Sequence, residues 1–400
     1  MEPVVIIGAG ASGLMAAAHL QGLPVILLER LSRPGLKLLA TGGGRCNLTH
    51  RATTAELCQQ FGRKGVFARQ VFDAFPPAAI ERFFAERGCP TAADADGNVF
   101  PASSRSRDVL QVLLQATRHG EIRCNTCVQN IQDSAVSTSK GLIQASAILI
   151  CGGGKSSPAL GSDGSCLRIL EQHGIPIVSL HPALCGLVLN GNFCSELSGL
   201  SLPAASLSLY RQSTRPVATS HGALLLTHKG ISGPAALALS REVRPGDTLA
   251  INWQGRGASE WERRLLVWRN LKGQGLVKNR LAEYLPARLI QCLLKWVNIP
   301  SDRQIARLGK NEAAALVRIL SAAPFTICST EGWANAMVTA GGVSLKALNP
   351  RTLKLNQLVN CYCAGEMLDL DAPCGGYNLT WAFASGYVAA RAIRAALCDR

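Results

Sequence analysis

Along this 400-residue chain the spacing of hydrophobic positions changes three times, and each change marks a different kind of element. Val4 to Ile7 is a continuous apolar run that meets glycines, Ala11 to Leu20 has helical spacing, and Pro24 to Leu28 is a second continuous run. Strands that are apolar on both faces and joined by a helix predict a βαβ unit in a covered parallel sheet. Further short strands are predicted between Glu121 and Cys151, ending in the buried run Ser146 to Cys151. From about residue 190 to 255 the segments alternate, as in Ser206 to Tyr210 and Thr248 to Trp253, with breaks at Gly, Pro and Asn. That pattern predicts a small antiparallel barrel or sandwich. Between about 257 and 323 Leu, Ala and Arg recur with helical spacing, broken at Gly273, Gly275, Pro286 and Pro300. After about 335 strands and glycine turns return, and a helix from about Leu379 to Leu397 closes the chain. The expected organisation is an α/β domain in two parts, 1–190 and 335–400, interrupted by a β insert at 191–256 and a helical insert at 257–334.

Composition narrows the class. Hydrophobic residues at 48% and charged residues at 17% exclude a disordered chain. No apolar run reaches the ~18 residues of a membrane span, and Met1-Glu2-Pro3 leads straight into a strand without a signal-type segment, so a cytoplasmic protein is expected. Fifteen cysteines in such a chain predict reduced thiols rather than a disulfide framework. Cys124 and Cys127, and Cys361 and Cys363, lie in strand-like sequence where neighbouring side chains alternate faces, so no metal site is expected.

The net charge of +15 is unevenly placed. Arg30 to Arg69 carries +7 and Arg256 to Arg318 carries +8, which together account for all of it. Such a field concentrates a polyanion such as RNA, or an acidic membrane surface, and the plainer alternative is a solvated basic face. Trp261 and Trp268 in the second segment are spaced for a helix core as well as for base stacking.

The motif Gly8-Ala9-Gly10-Ala11-Ser12-Gly13 lies between a strand and a helix. Gly8 permits the tight turn, Gly10 lets backbone approach a pyrophosphate, and Gly13 allows strand and helix to pack closely. The helix start offers unpaired N–H groups to phosphate, and Glu29, at the end of the second strand, is placed to accept from ribose hydroxyls. A basic glycine-rich stretch follows, Gly35 to Asn47, in which Lys37 and Arg45 supply countercharge and Gly42, Gly43 and Gly44 let backbone lie against a flat ligand. The cluster Gly152-Gly153-Gly154-Lys155-Ser156 is not an ATP loop, because position 149 is Leu where that motif needs glycine. Gly152 is kept as a dinucleotide-facing position. Near the end, Gly365-Glu366 and Cys374-Gly375-Gly376-Tyr377-Asn378-Leu379 place a carboxylate and then a helix start beside the first motif, if the last segment rejoins the sheet. His228 and Lys229 precede Ser232-Gly233-Pro234, where a phosphate contact and a plain helix cap are both open.

The Gly35–Asn47 and Gly365–Leu379 stretches, with the N-terminal fingerprint, resemble the BaiN/RdsA family of NAD(P)H- and FAD-dependent bacterial oxidoreductases, the YhiN-type flavoproteins. Ala223 to Pro234 and Val338 to Val343 extend the resemblance over essentially the whole chain. It implies a split Rossmann-like FAD-binding domain with an inserted β-barrel and a small helical insert. It further places the FAD pyrophosphate at Gly10, Ala11, Ser12 and Gly13, and the adenosine ribose at Glu29 and Arg30. Lys37 and Gly43, Gly44, Arg45, Cys46 and Asn47 would line the pyrophosphate–flavin side. Val128 would clamp adenine through its backbone, Glu366 would meet the ribityl chain, and Asn378 and Leu379 would meet the flavin ring.

One dinucleotide fingerprint implies that NADH or NADPH visits the flavin, reduces it and leaves. The expected chemistry is hydride transfer to a conjugated C=C bond with a protein acid supplying the second hydrogen. In the family it takes two forms, reduction of steroid-like enones and reduction of uridine to dihydrouridine in 23S ribosomal RNA. The basic charge favours RNA, held through residues such as Arg63, Lys64, Arg263, Arg264, Lys272, Lys278 and Arg280. A non-catalytic flavin-containing RNA-binding factor is the third reading. Cys46 is the first candidate for the acid, with packing of its loop as the alternative role, and Cys374 and Tyr377 are the other candidates.

Overall fold

The computed structural model describes residues 1–132, 134–271 and 275–398, and the chain divides into two units, Met1–Ala183 with Ala336–Arg400, and Leu184–Asn335. The first unit is built on a five-stranded parallel sheet in the order Cys361–Cys363, Ala147–Ile150, Val4–Ile7, Val25–Leu28 and Glu121–Arg123. Ile6 stands between Leu27 and Leu149 in register. The three central strands are almost wholly buried, which explains why they read as unbroken apolar runs rather than alternation. Strand Cys361–Cys363 comes from the far end of the chain, so the C-terminal segment does rejoin the sheet.

Two helices meet above the fingerprint. The first, Ala11–Ala18, is buried at every position but its first, and the last, Tyr377–Cys398, packs so closely on it that a Cβ on Gly386 would lie 2.3 Å from the Ser12 carbonyl oxygen. Smaller antiparallel sheets flank this core, Thr49–His50 with Asn98–Pro101 and Thr91–Ala93, and Val128–Gln132 with Ala135–Thr138 and Gly141–Gln144. The chain leaves the unit through Ile177–Ala183 and returns through Val338–Val343, two strands paired antiparallel.

The second unit contains a closed six-stranded antiparallel barrel in the order Leu187–Leu189, Gly230–Ser232, Ala218–Leu226, Ser201–Tyr210, Thr248–Asn252 and Ala323–Thr330. Alternation drives it: Leu202, Ala205, Leu207 and Leu209 turn inward from one strand. Four helices, Ala258–Asn270, Val277–Leu281, Ala287–Trp296 and Lys310–Ser321, stand between its fifth and sixth strands. The split α/β fold with barrel and helices is therefore the expected one, but its inner boundaries differ from 191–256 and 257–334. The barrel begins at Leu187 and closes with Ala323–Thr330, which pairs with both Thr248–Asn252 and Leu187–Leu189. Closing the barrel pairs every edge, and Ala323, Phe325 and Ile327 supply the inward face. No helix among the described residues is long and apolar enough to cross a membrane.

Candidate functional site

Each glycine of the fingerprint has a distinct steric reason. Gly8 has φ +99° and a Cβ there would come 2.4 Å from the Cys151 carbonyl oxygen, while a Cβ on Gly13 would come 2.0 Å from the Gly8 carbonyl oxygen. Gly10 differs: nothing lies within 4 Å of its Cβ position. It caps the first helix without any side-chain hydrogen bond, so the leading N–H groups face open space. Glu29 anchors the opposite side of this turn. Its Oε2 accepts from Ala9 N at 3.2 Å and its Oε1 from Leu31 N at 2.9 Å. Burial pushes its carboxyl above the usual range, against the pull of those two amides. Arg30 is ion-paired with Asp163. Val128 lies two residues beyond Thr126, whose amide donates to the Glu29 carbonyl oxygen at 2.9 Å.

A polar network joins four segments of the first unit. Lys37 Nζ donates to Glu366 Oε2 at 2.6 Å and to Ser156 Oγ at 2.7 Å. Glu366 Oε1 accepts from Ser156 Oγ at 2.7 Å and from Thr339 N at 2.8 Å, and Thr339 Oγ1 accepts from Lys155 N and Ser156 N. Ser156 and Thr339 are buried and carry no motif of their own, so the chain pattern gave no sign of them. The glycines before Ser156 serve packing. A Cβ on Gly152 would lie 2.4 Å from Cys166 Sγ, and one on Gly154 2.2 Å from Thr339 Oγ1. Gly365, at φ +73°, turns the chain against Ser12, whose Oγ would be 2.4 Å from a Cβ there.

The Gly35–Asn47 stretch meets the Leu370–Asn378 stretch. Gly42, Gly43 and Gly44 all have positive φ, and the Cβ positions of Gly43 and Gly44 face empty space, so this backbone is bare. Arg45 is exposed and its guanidinium lies 4.7 Å above the Phe100 ring. Asn47, with its amide turned to satisfy both ends, donates to the carbonyls of Thr49 and Val99 and accepts from Gly376 N at 3.2 Å. Asn378 Oδ1 accepts from Ala372 N at 3.0 Å while its Nδ2 donates to Ala372 O at 2.8 Å, and Leu379 is partly buried in the core. Tyr377 is buried at the start of the last helix, and Cys374 is exposed. Burial raises the Tyr377 hydroxyl above its ordinary value.

Cys46 does not fit an acid. It is fully buried in the core cluster at φ +61°, and desolvation pushes its thiol up to about 12. A sulfur packed this way supports the loop, which was the alternative role. His50 was missed altogether. Its Nδ1 lies 3.2 Å from the Gly375 carbonyl oxygen and its ring is 4.8 Å from the Tyr377 ring. A histidine at the end of a two-residue strand has no periodic signature.

Several basic residues assigned to RNA are engaged within the protein. Lys64 Nζ is 2.5 Å from Asp369 Oδ1, Arg264 pairs with Glu260 and lies over Tyr284, and Arg280 is 3.6 Å from Glu283. Arg63 and Arg263 are exposed, Lys278 is half-buried, and Lys272 lies outside the described residues. Trp261 and Trp268 are buried against Tyr284, so neither is a stacking platform. His228 and Lys229 are exposed at a hairpin tip, and the helix that follows, Pro234–Leu239, has six residues.

Taken together, the open helix start at Gly10, the carboxylate of Glu29 and the bare Gly43–Gly44 backbone fit an extended ligand with a pyrophosphate and a flat ring. Comparison with known proteins agrees. Residues 2–392 match the HI0933-like protein Rossmann domain. The 3-dehydro-bile acid delta(4,6)-reductase of Clostridium scindens is 31% identical over 98% of this chain and 99% of its own. The ribosomal RNA dihydrouridine synthases of Haemophilus influenzae and Escherichia coli are 29% and 28% identical, with 97% and 98% of this chain covered and 98% of each relative. Among solved structures, the 3-ketosteroid delta1-dehydrogenase of Sterolibacterium denitrificans shares the fold at a TM-score of 0.53, with 12% identity and 99% of both chains covered. The chain is an oxidoreductase and belongs to the HI0933-like Rossmann-domain family.

Proposed function

We propose that this protein is an FAD-dependent reductase of a conjugated C=C bond, driven by NADH or NADPH, and that it converts uridine to dihydrouridine in 23S ribosomal RNA. In this reading Gly10 to Gly13 hold the pyrophosphate, Glu29 the adenosine ribose, Glu366 the ribityl chain, and Asn378 and Leu379 border the ring. Bound FAD supplies hydride. The protein's own residues bind, orient and exclude water: Lys37, Ser156 and Thr339 fix the Glu366 carboxylate, and Asn378 holds the 372–373 backbone in place.

The relatives divide between a bile-acid enone and ribosomal RNA, and uracil C5=C6 is itself a conjugated enone. The observation that carries the RNA reading is charge. The unit Leu184–Asn335 has eighteen lysines and arginines against nine aspartates and glutamates, an excess that phosphate neutralisation uses and a steroid does not need. The 31% identity to the bile-acid reductase keeps a small-molecule enone reductase as the second reading.

The test is dihydrouridine content of ribosomal RNA, measured by nuclease digestion and mass spectrometry, in cells with and without the gene. Loss of dihydrouridine from ribosomal RNA, restored by wild type but not by Gly10→Ala, is the expected result. Unchanged dihydrouridine, with turnover on free enones, would transfer the assignment to the small-molecule reading.

A further inference from the structure

The loops that meet at Gly376 leave one proton-carrying side chain unaccounted for. His50 ends the strand Thr49–His50, and Thr49 is pinned to the last helix by a 2.7 Å hydrogen bond between its Oγ1 and Thr380 Oγ1. The imidazole is held on two further sides. Its Nδ1 lies 3.2 Å from the Gly375 carbonyl oxygen, and its ring is tilted over Tyr377 at 4.8 Å and 33°. A carbonyl oxygen only accepts, so Nδ1 carries a proton and the second proton of the imidazolium resides on Nε2. A Cβ on Gly97 would lie 3.0 Å from that Nε2, so glycine at this position keeps the edge free of a side chain. The ring is half-buried and therefore exchanges protons with solvent. The charged groups facing it are Glu56, from the helix Thr54–Gln60, and Asp94, from the turn after Thr91–Ala93. Its neighbour Arg51 is turned away to Glu81, at 2.9 Å. Cys46, in contrast, is sealed in the core.

We propose that His50 is the general acid of this enzyme, donating the second hydrogen of the reduction from Nε2. This rests on the C=C reductase reading above. When hydride arrives at C6 of the uracil from reduced flavin, the C5=C6 π bond breaks and its electron pair is delocalised over C5 and O4. The Nε2–H bond of the imidazolium then breaks, its proton forms the C5–H bond, and neutral imidazole remains. The substrate gains two hydrogens, the flavin is oxidised, NAD(P)H restores it, and solvent reprotonates His50. Tyr377 is a positioning residue in this scheme, holding the plane of the ring while Gly375 fixes its tautomer.

The experiment uses the FAD-loaded protein, with His50→Gln and His50→Asn compared with wild type under anaerobic conditions. Flavin reduction by NADH or NADPH needs no acid and keeps its rate. Reoxidation by a uridine-containing ribosomal RNA fragment, or by a steroid enone, falls by about 10²-fold or more, the usual worth of a general acid. In wild type that rate declines as pH rises through the imidazolium titration, and both variants lose this limb. A second readout is independent of turnover: nitrogen-15 NMR of histidine-labelled protein without cofactor shows one Nδ1–H imidazole that is absent from the variants and shifts when FAD is added. If wild type is reoxidised and the variants match it in rate and pH profile, or if FAD leaves the His50 signal unmoved, the assignment is overturned while the reductase reading stands. If wild type is reoxidised by neither acceptor, the reductase reading itself falls and His50 loses its role with it.

Discussion

Lys37 and Glu366, 329 positions apart in sequence, meet in an ion pair 2.6 Å long that Ser156 and Thr339 complete. Both side chains keep less than a quarter of their surface exposed, so the pair is more than a surface contact. Glu366→Gln keeps an acceptor for Thr339 but removes the charge that Lys37 matches. The expected loss is about 1–3 kcal/mol of thermal stability, with FAD binding weakened about tenfold or more. Thermal unfolding and flavin-fluorescence titration check both.

Gly10 and Gly13 separate binding from folding. Gly13→Ala drives a Cβ into the Gly8 carbonyl, with 2.0 Å between them, and is expected to cost on the order of 3 kcal/mol or more, or to abolish soluble expression. Gly10→Ala meets no atom of the protein and is expected to unfold at the wild-type temperature. Its methyl group nonetheless occupies the approach to the helix start, and the purified protein should come out without yellow colour. A Gly10→Ala protein that retains FAD would move the pyrophosphate elsewhere.

The pH behaviour of Glu29 has a definite sign. Burial raises its folded pKa above the ordinary 4.5, so its contribution to stability is complete below the unfolded value and is lost as pH rises through the folded one. Ribose hydroxyls need the ionised form as acceptor. FAD affinity should therefore fall on acidification from about pH 7 to about pH 5, above the range in which ordinary carboxylates titrate. Glu29→Gln should bind more weakly and show no such dependence; binding isotherms at each pH decide.

With its thiol pushed up to about 12, Cys46 stays protonated at neutral pH. Iodoacetamide should label exposed Cys374 and Cys398 in the native protein and spare Cys46 until it unfolds, as peptide mass spectrometry would show. Cys46→Ala is expected to cost about 1 kcal/mol and to leave the proton-transfer limb of the pH profile in place.

For RNA, salt dependence distinguishes phosphate contacts from internal pairs. Arg63→Ala and Arg263→Ala should each lower the slope of log affinity against log salt by about 1. Lys64→Ala should leave that slope unchanged and lower the unfolding temperature instead, because its ammonium belongs to Asp369. Filter binding at several salt concentrations, beside thermal melts, tests the distinction.

Local chemistry is what the chain alone determined. The unbroken runs Val4–Ile7 and Val25–Leu28, the glycines at 8, 10 and 13, and Glu29 specify a strand, turn and helix through contacts a few residues long, and alternation in Ser201–Tyr210 specifies a barrel strand. Tertiary structure decided what depends on distant partners. Gly152 and Gly154 look like a phosphate loop in sequence, and only the packing of Cys166 and Thr339 shows that their missing side chains make room for other atoms. Arg63 and Lys64 are equivalent as charges along the chain, yet Asp369, 305 positions from Lys64, neutralises one and leaves the other to solvent. Cys46 reads as an accessible thiol beside Arg45, and the core closes over it. His50 has no pattern at all, and gains its orientation from Gly375 and Tyr377, which the fold brings from the opposite end of the chain. Hydrophobic periodicity records which face of an element is buried, but not which side chain it is buried against. For that reason the elements were legible in the sequence and the proton-carrying residues were not.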